Sequence, residues 1–353
     1  MRRGLCVLLL VWLCMGQAWA VELPGELLDS VPPSAAEIGA AEGWEQGSRN
    51  LAALIQDSFL QLLRKGLKGV VSLLLVVVLC GLAETMLAGV KGREGFSCLD
   101  LAAAAAVAMV AAGDFTHLMG LGQRTVLELD QFSKVLLPTI AAATASMGMV
   151  GSAAVRQMAT MFFCDILLTA IDRLVLPLIQ LYIAALCAGS MLRDGRLDAA
   201  AEAIKKVITW TLSGIVMVFT LYLSIAGAVS GTADGAAAKV VKKAIAAAVP
   251  VVGNIVSGAA DTVMAGAGVL KNTIGVFGVL VVLAACVLPF LQIAVQYLLY
   301  KAAALVAGTV GSRNVVKLID GLGGAFGLLL GAVGSCALLL LISLISSLMV
   351  VIP

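Results

Sequence analysis

Apolar residues follow one another along this chain in runs long enough to cross a bilayer, and charge is confined to short clusters between them. A spanning helix needs about 20 such residues. Val70 to Val90 and Leu101 to Leu121 are the first two runs, with the basic loop Lys91 to Gly95 between them. Met158 to Leu192, Val207 to Ser230, Ile274 to Tyr300 and Leu322 to Ile352 supply four more. Two further segments, 134–155 and 236–270, are rich in small residues and interrupted by Pro138, by "MGMVGS" and by Pro250. They read as broken or re-entrant elements, which survive at membrane depth only where protein or water covers them. The pattern predicts an all-α polytopic membrane protein with about six to eight transmembrane helices, the two broken segments included.

The N-terminal part has a different pattern. Arg2 and Arg3 precede a short apolar core, Leu5 to Met15, and Ala18-Trp19-Ala20 fits a small-residue cleavage site, so residues 1–20 read as a secretory signal peptide. Residues 21–66 read as an exported segment, polar and broken by Pro24, Pro32, Pro33 and Gly43 before it turns amphipathic. In the amphipathic part Leu51, Leu54, Ile55, Phe59, Leu62 and Leu63 recur at helical steps. Residues 67–353 form the membrane domain.

The string "VLPLIQL" at Val175 to Leu181 returns as "VLPFLQI" at Val287 to Ile293. Pro250 follows Pro138 by 112 residues, and Pro289 and Gln292 follow Pro177 and Gln180 by the same interval. The two blocks align without a gap, which points to an internal parallel repeat of about 112 residues, one copy near 134–230 and the other near 246–352. Proline inside a spanning helix frees a carbonyl one turn back that neighbours or water must satisfy. Paired prolines with a glutamine three residues on mark either a helix interface or the lining of a path. Loop charges orient the copies alike: Arg193, Arg196, Lys205 and Lys206 inside, Lys301, Arg313 and Lys317 inside, and Gln123 to Gln131 outside.

Composition sharpens the class. Hydrophobic residues make up 61% of 353, charged residues 12%, and mean hydropathy is +1.07. A soluble domain carries about 25% charged residues, so most of this chain faces lipid or other lipid-embedded helices. A net charge of +2 gives no electrostatic reason to bind nucleic acid. The eight cysteines are scattered singly; Cys6 and Cys14 fall in the leader, and the exported segment has none, so no disulfide framework supports it.

Chemistry-bearing motifs are scarce. The sequence has no phosphate-binding G-x-x-x-x-G-K-[ST] loop, no H-E-x-x-H and a single histidine, His117. No catalytic residue, metal ligand or cofactor site emerges. Asp114, Asp165 and Asp172 are acids in apolar segments, where charge is costly and therefore a functional candidate. Asp114 and His117 share one helical face and read as a structural pair near the membrane surface or as a proton or ion site. Asp172 stands beside Arg173. Gly323, Gly327, Gly331 and Gly334 form a small-residue row suited to close helix packing, including packing into a homo-oligomer.

"FSKVLLPTIAAATASMGMVGSAA" (Phe132 to Ala154) and "LVLPLIQLYIAALC" (Leu174 to Cys187) resemble the central region of the stage III sporulation protein AE family. The resemblance implies a non-enzymatic, multi-pass protein of the mother-cell membrane around the forespore. It implies membership of a channel or secretion-like assembly used in endospore formation. The partners implied are other stage III sporulation membrane proteins, a cytoplasmic secretion-type ATPase and ring-forming proteins between the two membranes. The alternative from the residues is a stand-alone secondary transporter for a small solute.

Overall fold

The computed structural model describes residues 31–32, 35, 44–87, 93–146, 152–192, 195–225, 273–310 and 312–349. The proposed leader and all of 236–270, with Pro250, lie outside the described residues. Among the described residues seven α-helices follow in order: α1 Trp44–Leu87, α2 Arg93–Ser146, α3 Ser152–Ala170, α4 Leu176–Leu192, α5 Gly195–Ile225, α6 Thr273–Val310 and α7 Arg313–Met349. Among the described residues there is no strand. Six stretches of the described residues are long and apolar enough to cross a membrane: Ser48–Ala83, Leu101–Thr139, Phe162–Leu192, Gly195–Tyr222, Phe277–Thr309 and Arg313–Ile345.

The helices are longer than the apolar runs alone suggest. The amphipathic lead-in and the first apolar run fuse into the 44 residues of α1. The 54 residues of α2 continue through Gln123 to Gln131, the stretch expected as an outside loop. Those polar residues are helix interior because Val126, Leu129 and Phe132 between them are buried and hold the stripe in register. The segment 134–155, expected to be broken, is helical up to Ser146 and again from Ser152.

α7 is the axis of the bundle. It packs against α6, α2, α4, α5 and α3, and 89% of its apolar window is buried, against 22% for α1. Its glycines make the close approaches possible. A Cβ at Gly327 would stand 3.1 Å from the Tyr297 ring, and one at Gly321 would stand 2.8 Å from Leu186. Of the glycine row predicted from sequence, Gly323 and Gly327 face side chains of α6, while the neighbouring Gly321 faces α4. Tyr300 and Phe326 meet edge to face at 4.9 Å, and Phe115 lies 6.3 Å from Phe326, which ties α6 and α2 to α7.

The contacts also fix directions. Gly122 faces Leu329, and Gly278 faces both Leu136 and Leu344, so α2 runs parallel to α7 and antiparallel to α6. Gly69 meets Asp114, and the 21 residues of α2 from Arg93 to Gly113 run on past that level. Beyond Tyr300, α6 has only 10 residues left. At 1.5 Å per residue the start of α2 reaches about 15 Å past the end of α6. Val71, Leu75, Val78, Leu79, Leu82 and Met86 are exposed along one face of α1 beyond Gly69.

Candidate functional site

The two proline motifs have unlike surroundings. A helix proline removes the donor to the carbonyl four residues back and crowds it. Ahead of Pro177 the chain answers with a π-turn, Ile171–Val175, in which Leu176 N–H donates to the Ile171 carbonyl. The wider turn relieves the crowding, and π-bulges commonly accompany such inserts. No such turn precedes Pro289, which sits inside the continuous helix α6, and neither does one precede Pro138 in α2. Pro177, Gln180 and Pro138 are exposed, Pro289 is buried and Gln292 is half-buried. α7 packs against both α4 and α6 and stands between the two proline-bearing helices.

Asp114 is the best-partnered of the predicted acids. Gln296 Nε2 donates to its Oδ2 at 2.7 Å, and Tyr300 Oη donates to the same oxygen at 3.1 Å. Gln296 and Tyr300 are buried on α6, one helical turn apart, and present two neutral donors to one carboxylate. On the facing helix Gly69 leaves room, since a Cβ there would stand 3.2 Å from the same oxygen. Gly66 does likewise for Gln296 Oε1 at 3.1 Å. His117 is exposed. Reading by sequence singled out Gln292 and missed Gln296 and Tyr300. The signal was present: two polar residues four apart, in an otherwise apolar run, lie on one helical face.

Asp165 belongs to a second polar group. Lys134 Nζ reaches Asp130 Oδ2 at 2.7 Å and Asp165 Oδ1 at 3.2 Å, joining α2 to α3. Asp130 Oδ1 and Asp165 Oδ1 are buried without a hydrogen bond of good geometry, so one lysine serves two carboxylates. Asp172 and Arg173 fall in the π-turn. Thr160 and Tyr222 share a hydrogen bond of 3.1 Å between α3 and α5.

A concavity lies at one end of the bundle, between the α4–α5 and α6–α7 turns. It holds about 710 Å³ and is lined by Tyr182, Asp198, Glu202, Lys205, Arg313, Lys317 and Asp320, with small residues at Gly308 and Gly321. Asp198 and Lys317 approach to 4.0 Å across it, Glu202 and Lys205 to 3.8 Å, and Lys301 clamps Asp320 at 2.6 Å. Tyr182 Oη donates to the Gly321 carbonyl at 3.3 Å and closes its floor. The basic clusters around Arg196 and Arg313, expected on one side of the membrane, therefore lie at one end of the molecule. Among the described residues no group of three or more His, Cys, Asp or Glu side chains is placed to hold a metal.

A family model described as stage III sporulation protein AE matches residues 43–351. Stage III sporulation protein AE of Bacillus subtilis (strain 168) is 24% identical over 212 residues, which is 60% of this chain and 53% of that protein. The aligned part thus spans about half the length of that relative. No solved structure matches.

Proposed function

Because this chain belongs to the stage III sporulation protein AE family, we propose that it is a non-enzymatic membrane component of the complex that joins mother cell and forespore during endospore formation. Its helices form or scaffold the membrane path of that channel or secretion-like assembly. The observation that supports this most is the bundle itself. Helices long enough to span pack around α7, and the polar group of Asp114, Gln296 and Tyr300 is bonded within itself. Among the described residues they do not assemble a nucleophile, a base and an oxyanion site, which acyl or phosphoryl chemistry would require.

The site is the mother-cell membrane around the forespore. The partners are other stage III sporulation membrane proteins, a cytoplasmic secretion-type ATPase and intermembrane ring proteins. The sequence carries no phosphate-binding loop, so ATP hydrolysis would come from the ATPase. In this reading the chain arose by duplication, with Pro138, Pro177 and Gln180 in one copy and Pro250, Pro289 and Gln292 in the other. The proline-bearing helices then contribute interfaces to the path.

The test is made in a sporulating cell that carries an affinity-tagged copy. The chain is expected at the engulfed forespore membrane and to copurify with the ATPase, and its deletion is expected to block spore formation. Normal sporulation without the gene, or robust coupled solute uptake by the purified chain in liposomes, would replace this reading with the transporter one.

A further inference from the structure

We propose that the cavity between the α4–α5 and α6–α7 turns is a binding site for a small anionic group, a carboxylate or a phosphate, held by Arg313 with Lys205 and Lys317. Its volume of about 710 Å³ falls in the range of sites for small organic ligands. Three of the residues around it are cations with donors to spare. Arg313 has no carboxylate within ion-pair distance among the described residues, and a guanidinium carries five donors in a fork suited to a carboxylate or phosphate. Lys205 and Lys317 stand 3.8 and 4.0 Å from their carboxylates, beyond hydrogen-bond reach. Their ammonium protons can turn to an incoming anion without breaking a bond.

The charge count favours an anion over a cation. Asp198, Glu202 and Asp320 each already face a lysine. With Lys301 behind Asp320, four cations meet three carboxylates, and Arg313 is the one left over. The backbone adds to this. Arg313, Val316 and Lys317 line the cavity from the first turn of the 37-residue helix α7, whose leading N–H groups have no intrahelical acceptor. Ser312, which precedes the helix, does not use its hydroxyl to cap them, since its Oγ is buried with no hydrogen-bond partner. An anion placed there meets the positive helix end as well as the side chains.

Two sources offer such a group: a soluble anion, or the phosphate of an acidic lipid headgroup at the membrane surface. The full chain in nanodiscs of phosphatidylcholine alone is titrated with inorganic phosphate and with succinate, by calorimetry and by the shift in Tm. A second set of discs contains phosphatidylglycerol and no added anion. Saturable binding of phosphate or succinate in neutral discs assigns a soluble anion. A rise in Tm found only with phosphatidylglycerol assigns the headgroup. In either case Arg313→Gln is expected to weaken the effect about tenfold, as for loss of a charge-assisted contact, while the remote Lys134→Gln leaves it unchanged. Should Arg313→Gln fail to fold, Lys317→Gln is read in the same way. Absence of every response, or a response untouched by the variant that folds, overturns the proposal. These readouts use the isolated chain, so their failure is distinct from a failure to join the sporulation complex.

Discussion

Gln296 on α6 donates its side-chain amide to Asp114 on α2 across 2.7 Å, between positions 182 apart in the chain. Tyr300 adds a second donor to the same carboxylate oxygen. Glycines on α1 let that helix close over the group, so three helices converge on one polar contact. Asp114→Ala leaves two buried donors without an acceptor, and each such orphan costs about 1–3 kcal/mol. Asp114→Asn keeps an oxygen to accept and is expected to lose less than half as much. Denaturant unfolding in detergent micelles, followed by Trp fluorescence, measures both. Equal losses would show that the carboxylate charge, not the acceptor, holds the contact.

The glycines of α7 and α5 are expected to respond in opposite directions to alanine. At Gly327 a methyl would stand 3.1 Å from the Tyr297 ring, which would have to give by a few tenths of an ångström. Overpacking of this kind costs about 1–3 kcal/mol. At Gly214, inside α5, a Cβ meets nothing within 4 Å, and Gly→Ala in a helix gains about 0.5–1 kcal/mol. Thermal unfolding of the two single variants should move Tm down for Gly327→Ala and up for Gly214→Ala.

Asp198 and Lys317 lie 4.0 Å apart although they belong to different helical hairpins. Cysteines placed at both positions, in a chain with its native cysteines replaced by serine or alanine, should be joined in high yield by a short bifunctional maleimide. Both should also be labelled from the same side of the membrane by an impermeant reagent. Labelling from opposite sides would refute the shared end of the two hairpins and, with it, the same-sided repeat.

Lys134 links Asp130 and Asp165, but its side chain is 55% exposed, so in water each contact is worth about 0–1 kcal/mol. A double-mutant cycle of Lys134→Met and Asp165→Asn should return a coupling of roughly 0.5–1 kcal/mol. Lys134→Met alone is expected to destabilise more than the double variant, because it strands two carboxylates beside each other. Urea unfolding midpoints of the four proteins provide the comparison.

Several features were legible in the order of residues, because they follow from local physics. Long apolar runs predict helices that can cross a bilayer, since a segment in lipid must satisfy its backbone hydrogen bonds internally. Six such helices are present among the described residues. Proline, lacking its donor, predicts a local disturbance, and the π-turn ahead of Pro177 is one. The family resemblance was carried by contiguous strings, Phe132 to Ala154 and Leu174 to Cys187, and the family match covers them.

What a residue faces is a different matter, because it depends on partners far away in the chain. Pro177 and Pro289 sit in nearly the same string, yet one is exposed beside a widened turn and the other buried in continuous α-helix. Gln123 to Gln131 looked like a loop by polarity, but its interleaved apolar residues found a buried face and kept it helical. Gln296 and Tyr300 gained a role only when α6 came to lie against α2, and Arg313 entered a cavity only when two hairpin turns met. Side-chain periodicity and backbone chemistry act over a few residues, and these the amino-acid order settles. Which helix faces which is decided by packing all of them at once, and only the folded bundle records it.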